Sequence, residues 1–463
     1  RNAAMGNDMS TDGGAGGMGD DADRANEIDV MEMVMVLEEA KENVTAKAHT
    51  NKSHGVSDDE QVKGMVWVDS VNKQTKPEDV EPARYRGVKF LGKGNFGACY
   101  VVQEENPAGQ LCGPKYALKV LHLENEHELG GVDSELDAAT RMIEAELDHP
   151  NLITIHRFFT CPAPEFSDGR RWDACFLMDY YENSFTLELF LRALADGLTA
   201  TDGDGQLADE YGEKKYLPRA IVYNCLLGLL AAVQTIHDNG VVHRDIKPDN
   251  ILMVHDPASD MWRPVLIDFG VSYIKDTSTT RMMQTLQQTQ IEGRAGAIGY
   301  QAPEMATLGV YRSIVDVWSL GLVSLQVLCA EPDLMKVIVA AGYKKGFPIP
   351  GWYGDPQVQR ALIMQAPLHG RPLLERMLCG HAQRYTAAQL WTKLKAKLIG
   401  QPQPGAGVAD DDDDAQSLTT TTTANTRPPR MQRRSTKLQL SPRGRGGRGG
   451  AVVPGGAGGA GGG

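Results

Sequence analysis

The chain has 463 residues and a formal net charge of −13, unevenly carried: residues 1–83 hold 18 acidic and 8 basic side chains, residues 400–463 hold 5 and 8. That balance excludes a globally basic nucleic-acid binder, and 41% hydrophobic residues suffice for a large core although 50 glycines swell the flexible fraction. Seven scattered cysteines without a C-x-x-C pair exclude a disulfide framework or zinc site and point to a reducing, intracellular setting, cytoplasmic or nuclear.

The apolar runs near Cys225–Val233 and Leu320–Ala330 fall short of the roughly 20 residues that cross a bilayer, so no membrane partner is expected. The sequence opens on Arg1 rather than methionine and shows no charged-then-apolar leader, which marks it as a candidate fragment. Residues 1–84 read as a largely disordered acidic region, with a short helix at 26–48 that Asn26 would cap.

From Tyr85 the texture changes. Val88–Leu91 reads as a strand running into Gly92-Lys-Gly94-Asn-Phe-Gly97, then into a second strand, Ala98–Val102. A glycine-rich turn between two strands differs from a dinucleotide fingerprint, where the glycines open a helix. Here the missing side chains would let backbone N–H groups lie over phosphates. Lys115–Leu121, containing Ala117-Leu-Lys119, is a third strand, and residues 133–148 form a helix that His149-Pro150 ends. Cys175–Asp179 is a further strand and 197–215 a polar insertion. Pro218 opens a helix whose apolar positions, Ile221, Val222, Cys225, Leu226, Leu229, Val233 and Ile236, share one face, and Asn239-Gly240 closes it.

Next comes the richest stretch, His243-Arg-Asp-Ile-Lys-Pro-Asp-Asn250, followed by Asp268-Phe-Gly270. It sets a carboxylate base, a cation and two oxygen ligands on loops between short strands. That inventory suits phosphoryl transfer, where catalysis is mostly positioning and charge neutralisation. After about Ile399 order fades into an acidic run at Asp410–Asp414, a threonine tract at Thr419–Thr423, and an Arg- and Gly-rich segment. Within it, Arg443–Gly450 resembles an RGG box, so RNA contact through 427–450 is one reading and a solubilising tail the other.

Residues 85–398 resemble the eukaryotic-type protein kinase domain, serine/threonine branch. Independent motifs occur in that family's order: Gly92-x-Gly94-x-x-Gly97, Ala117-Leu-Lys119, HRDIKPDN, DFG, Ala302-Pro-Glu304, Asp316-Val-Trp-Ser-Leu-Gly321 and Arg384. The resemblance implies an α+β, two-lobed fold: a small antiparallel β-sheet lobe at about 85–180, a larger, mostly helical lobe at about 181–398, and disordered tails, the second at 399–463. It implies an ATP- and Mg²⁺-dependent protein kinase acting on serine or threonine hydroxyls of protein substrates, with Mn²⁺ the alternative ion. A pseudokinase scaffold, or a kinase with an RNA-associating tail, is the alternative.

In that reading Asp245 handles the substrate's hydroxyl proton, Lys247 neutralises the transferring phosphoryl group, and Lys119 anchors the α and β phosphates. Asn250 and Asp268 offer hard oxygens to Mg²⁺. The nucleotide would lie among Leu91, Gly92, Gly94, Gly97, Cys99 and Ala117. Met178 would be the gatekeeper, and the Asp179 and Tyr181 backbone would meet the adenine edge. Glu304 with Arg384, and Asp316 beneath the catalytic loop, would be scaffold. Hydroxyls at Thr277, Ser278, Thr279, Thr280, Thr285 and Thr289, with Arg244, suggest phosphate-dependent ordering of the activation segment.

Three positions depart from the family. The helix glutamate that should pair with Lys119 is expected nine residues before His149, where Thr140 stands; Asp137 and Glu144 flank it, and no partner is assigned. Cys99 replaces a valine, as a small hydrophobe or a reactive thiol. Ala297 replaces a threonine that would support Asp245, which predicts a base lacking one hydrogen bond.

Overall fold

The computed structural model describes residues 62–69, 82–94, 97–123, 133–164, 171–182, 184–197, 217–256, 261–275, 291–292, 295–307, 310–344 and 349–399, all within one compact unit spanning Arg1–Pro429. The helix expected at 26–48, the six activation-segment hydroxyls and the 427–450 segment lie outside the described residues.

The N-terminal lobe is a six-stranded antiparallel sheet in the order β1-β2-β3-β4-β6-β5, built from β1 Val66–Val68, β2 Arg84–Gly94, β3 Gly97–Glu105, β4 Leu111–Leu123, β5 Ile155–Pro162 and β6 Trp172–Asp179. Helix α1, Asp133–Glu144, packs against β5. Along β3, Ala98 and Tyr100 alternate with less buried neighbours, and Tyr100, Val101 and Val102 are buried in succession, so both faces of the strand are covered at its centre. Gly94 pairs with Gly97 at the end of the β2–β3 ladder. A Cβ on Gly97 would lie 2.0 Å from the Val120 carbonyl, whereas one on Gly92 would meet nothing within 4 Å. Close approach to β4 therefore demands glycine at 97, while Gly92 borders open space.

Strand β1 lies in the acidic stretch that composition alone reads as unstructured. Its Trp67 is fully buried, packs against Tyr100 at 5.0 Å between ring centroids, and donates from Nε1 to Asp173 of β6 at 3.0 Å. Asp69 accepts from Arg157 of β5 at 2.5 Å. The sheet thus curls until its first strand reaches both β5 and β6.

The larger lobe holds β7 Ser184–Thr186, α2 Leu187–Gly197, α3 Arg219–Asp238, β8 Val241–Val242, β9 Ile251–Asp256, β10 Met261–Leu266, β11 Tyr273–Ile274, β12 Ile291–Glu292, α4 Pro303–Thr307, β13 Val310–Tyr311, α5 Val315–Cys329, α6 Leu334–Ala340, α7 Ile349–Trp352, α8 Pro356–Ile363, α9 Arg371–Leu374 and α10 Ala387–Ile399. Pro218 precedes α3 and Gly240, at φ +80°, follows it. Helix α3 is long and apolar enough to cross a bilayer, beyond what its apolar runs suggest, yet its face from Ile221 to Ile236 is buried in the lobe's core. Helix α5 is buried on all sides through Leu328, the pattern of a core helix. The short ladders β8–β11 and β9–β10 bracket the loops that carry His243–Asn250 and Asp268–Gly270.

Replacing Trp67 with alanine removes a buried indole and its hydrogen bond. It is expected to cost about 3–5 kcal/mol, read as a lowered midpoint in thermal or urea unfolding of the full chain.

Candidate active site

Two groups of charged side chains face the junction between the lobes. The first is centred on Lys119 of β4, whose Nζ donates to Glu135 Oε1 at 2.7 Å and to Asp268 Oδ1 at 2.8 Å. Glu135 is therefore the helix glutamate that counting back from His149 fails to find. It lies in the first turn of α1, and both Thr140 and the flanking Asp137 and Glu144 are displaced from that role. Its sequence signal is an acid inside the helix expected at 133–148, but Glu135 lies outside the fixed offset from His149. Arg141 of the same helix donates from Nε to the Asn239 carbonyl at 3.0 Å, which ties α1 to the end of α3.

The electrostatics of this triad follow from one cation shared by two acids. Burial works against the Lys119 charge, but Glu135 and Asp268 outweigh it and hold the ammonium above its ordinary pKa. Burial also lifts Asp268, yet Lys119 and the Gly270 N–H bring it below the usual carboxylate range. Burial prevails at Glu135, whose carboxyl is raised despite Lys119. Of the two acids, Asp268 is the one whose ionised form the site favours more.

The second group is centred on Asp245. Its Oδ2 accepts from Lys247 Nζ at 2.9 Å and from Asn250 Nδ2 at 3.0 Å, and Asn250 Nδ2 also reaches the Asp245 carbonyl at 2.8 Å. Its Oδ1 accepts from the backbone N–H of Ala297 at 2.7 Å. The expectation that Ala297 leaves Asp245 one hydrogen bond short is corrected: the main chain supplies the donor that the missing hydroxyl would have supplied. Gly296 makes this approach feasible. It sits at φ +82°, and a Cβ there would lie 2.1 Å from the Arg244 carbonyl.

Asp316, at the start of α5, underpins the loop. It is wholly buried and accepts from His237 Nε2 at 2.8 Å, from the His243 N–H at 2.9 Å and from the Arg244 N–H at 2.8 Å. Burial would raise its carboxyl, but His237 and the loop N–H groups prevail and hold it below the usual range. His243 bridges the two groups: Nε2 donates to the Ile267 carbonyl at 3.0 Å, Nδ1 accepts from the Asp245 N–H at 3.3 Å, and the ring packs on Phe269. Arg244 donates to the carbonyls of Val271 and Ser272 and reaches the Tyr311 hydroxyl. Glu304 and Arg384 form the buried ion pair read from the sequence, at 2.5 and 3.2 Å.

The chemistry of the donors fits a hard cation. Asn250 commits its amide nitrogen to Asp245 and keeps Oδ1 as a ligand, while the contacts of Asp268 run through Oδ1 and leave Oδ2. Two such oxygens suit Mg²⁺, which retains waters and shares phosphate oxygens. Among the described residues there is no cluster of three or more His, Cys, Asp or Glu side chains that could hold a metal by themselves.

The remaining candidates line the roof and hinge. Leu91 is exposed on β2 and Ala117 is buried on β4. Cys99 stands opposite Lys119 in the β3–β4 ladder, and burial pushes its thiol up to about 11. That favours a small hydrophobe over a reactive thiol. At the hinge the Asp179 N–H already donates to the Thr154 carbonyl, and the Tyr181 carbonyl already accepts from Ser184. What these residues can offer a ligand is the Asp179 carbonyl and the Tyr181 N–H, one acceptor and one donor. The Asp179 side chain is held by His156 at 2.6 Å and by the Tyr181 hydroxyl at 3.2 Å.

Comparison with known proteins agrees with this geometry. The Protein kinase domain family matches residues 85–393. Among similar proteins, Cyclin-dependent kinase 8 of Caenorhabditis elegans is 28% identical over 252 residues, covering 54% of this chain and 37% of that protein. The calcium/calmodulin-dependent protein kinase cmkB of Emericella nidulans is 28% identical over 298 residues, covering 62% and 61%. The human calcium/calmodulin-dependent protein kinase type IV is 29% identical over 268 residues, covering 58% and 44%. The matches thus span between about a third and three fifths of these relatives' lengths.

Removing the Asp316 carboxylate tests the electrostatic reading. Its folded-state pKa is depressed, so its contribution is present above the unfolded carboxylate value of about 4 and is lost as pH falls through the folded value. Asp316→Ala is expected to cost about 3–5 kcal/mol at pH 7. The gap to the parent chain should narrow below about pH 4, measured by urea unfolding at several pH values.

Proposed function

The chain belongs to the protein kinase domain family, and we propose that it is an active serine/threonine kinase that transfers the γ-phosphoryl group of ATP to hydroxyls of protein substrates. The observation that carries this reading is that both charged groups are complete: Lys119 with Glu135 and Asp268, and Asp245 with Lys247 and Asn250. A scaffold that never turns over has no need of a base held by three donors.

In this mechanism Lys119 binds the α and β phosphates, and Glu135 keeps its ammonium aimed between the lobes. Asp268 and Asn250 would hold Mg²⁺, which when bound neutralises phosphate charge. Gly92, Gly94 and Gly97 let the hairpin backbone cover the phosphates, with Leu91, Cys99 and Ala117 around the base. The Asp179 carbonyl and Tyr181 N–H match the donor and acceptor of the adenine edge. Asp245 orients the attacking hydroxyl and accepts its proton, while Lys247 faces the charge spread over the transferring group. The lysine at 247, followed by Pro248, supports the serine/threonine assignment. The scattered spacing of the seven cysteines, with no C-x-x-C pair, supports a reducing intracellular location.

Purified chain with γ-labelled ATP, Mg²⁺ and a panel of basic, acidic and proline-directed peptides is expected to yield labelled phosphoserine or phosphothreonine. Asp245→Asn should lower the rate by at least about a hundredfold. Absence of transfer by the parent chain to itself and to every peptide would overturn the enzyme reading.

A further inference from the structure

We propose that Gln301 is a positioning residue for the base: by clamping two backbone carbonyls it aims the Ala297 N–H at Asp245, and so replaces the absent threonine hydroxyl. This rests on the phosphoryl-transfer reading of the same site. Gln301 is buried and follows the short turn Ile298–Tyr300. Its Nε2 donates to the Ala295 carbonyl at 3.0 Å and to the Gly296 carbonyl at 3.0 Å, using both amide hydrogens on consecutive peptides.

The consequence for Asp245 follows from peptide geometry. The Gly296–Ala297 peptide is planar and trans, so its C=O and N–H point in opposite directions. With the Gly296 oxygen held by Gln301 on one side, the Ala297 N–H must point to the other, where Asp245 Oδ1 lies at 2.7 Å. A carbonyl that accepts a hydrogen bond also polarises its own peptide and strengthens the N–H as a donor. A Cβ on Gly296 would lie 2.1 Å from the Arg244 carbonyl, so this segment packs against the loop with no room for a side chain. Two side chains thus hold the Gly296–Ala297 peptide, Gln301 at its carbonyl and Asp245 at its N–H, and Gln301 is the one that acts on Asp245 through the peptide.

The same support continues along the turn, where the Tyr353 hydroxyl donates to the Gly299 carbonyl at 2.9 Å and Ser319 Oγ to the Tyr300 carbonyl at 2.8 Å. Those bonds hold the turn onto the core of the lobe. Among the described residues, the Gln301 bond to the Gly296 carbonyl is the one that acts on the far end of the peptide that touches Asp245, which separates a positioning role from general anchoring.

The test uses the full chain, the best peptide from the panel, and Gln301→Met, which keeps side-chain length and loses the donors. The expected result is a kcat lowered about tenfold, the loss of one aligned hydrogen bond to a charged group. KM for ATP should stay within about twofold, because Lys119 and the roof are untouched. Adding Ala297→Thr to Gln301→Met supplies a hydroxyl directly and should recover most of the lost kcat. An unchanged kcat in Gln301→Met overturns the proposal. So does a kcat loss that Ala297→Thr does not recover, which would make Gln301 a merely structural residue. A parent chain without phosphotransfer overturns the kinase reading itself, and the proposal with it.

Discussion

Everything in this site hangs from one buried charge. Asp316 sits at the start of a helix that is buried on every side, with three donors around its carboxylate and no water-exposed surface. An ionised carboxylate in such a place is tolerated only if its partners are fixed. Two of those partners are the consecutive backbone N–H groups of His243 and Arg244, so satisfying the charge dictates the path of the loop that carries Asp245. Arg244 consequently adopts φ +66°, a left-handed conformation that costs a non-glycine residue about 1–3 kcal/mol. Its guanidinium, spread over Val271, Ser272 and Tyr311, helps to hold the strained residue in place. Asp268 is left-handed too, at φ +63°, and is fixed by Lys119 and the Gly270 N–H. Strain at the two loops that carry the chemistry is thus balanced by hydrogen bonds to the cores of both lobes.

The Lys119 triad adds a coupling between lobes. Lys119 belongs to the sheet, Glu135 to α1 and Asp268 to the larger lobe, so the three meet only when all three elements are in register. Arg141 makes α1 answer to the end of α3 as well. A small rotation of α1 would leave the Lys119 charge with Asp268 alone. The ionic contacts therefore report on lobe geometry more than they add stability, since a buried ion pair returns little beyond its own desolvation cost.

Much of this was legible in the sequence, and the parts that were not share a cause. HRDIKPDN, DFG and the Glu304–Arg384 pair could be read because each role needs a particular side chain at a particular spacing. Glu135 is not legible from a fixed distance to His149, because the pairing depends on how α1 lies against β4. Trp67 was missed because a three-residue strand carries almost no periodicity inside an acidic stretch. The Ala297 contact was beyond reach in principle: a backbone N–H is present at every non-proline position, and only φ, ψ and the surrounding contacts decide where it points.

That last case changes how the departure at residue 297 bears on activity. A threonine hydroxyl has a χ1 rotamer and an O–H rotor of its own with which to meet a carboxylate. A peptide N–H cannot turn unless the segment turns with it. In this chain the third donor to Asp245 is therefore available only when residues 295–297 are ordered as they are here, with Gly296 against Arg244 and both carbonyls held. The side-chain loss thus makes one hydrogen bond to Asp245 conditional on the conformation of residues 295–297.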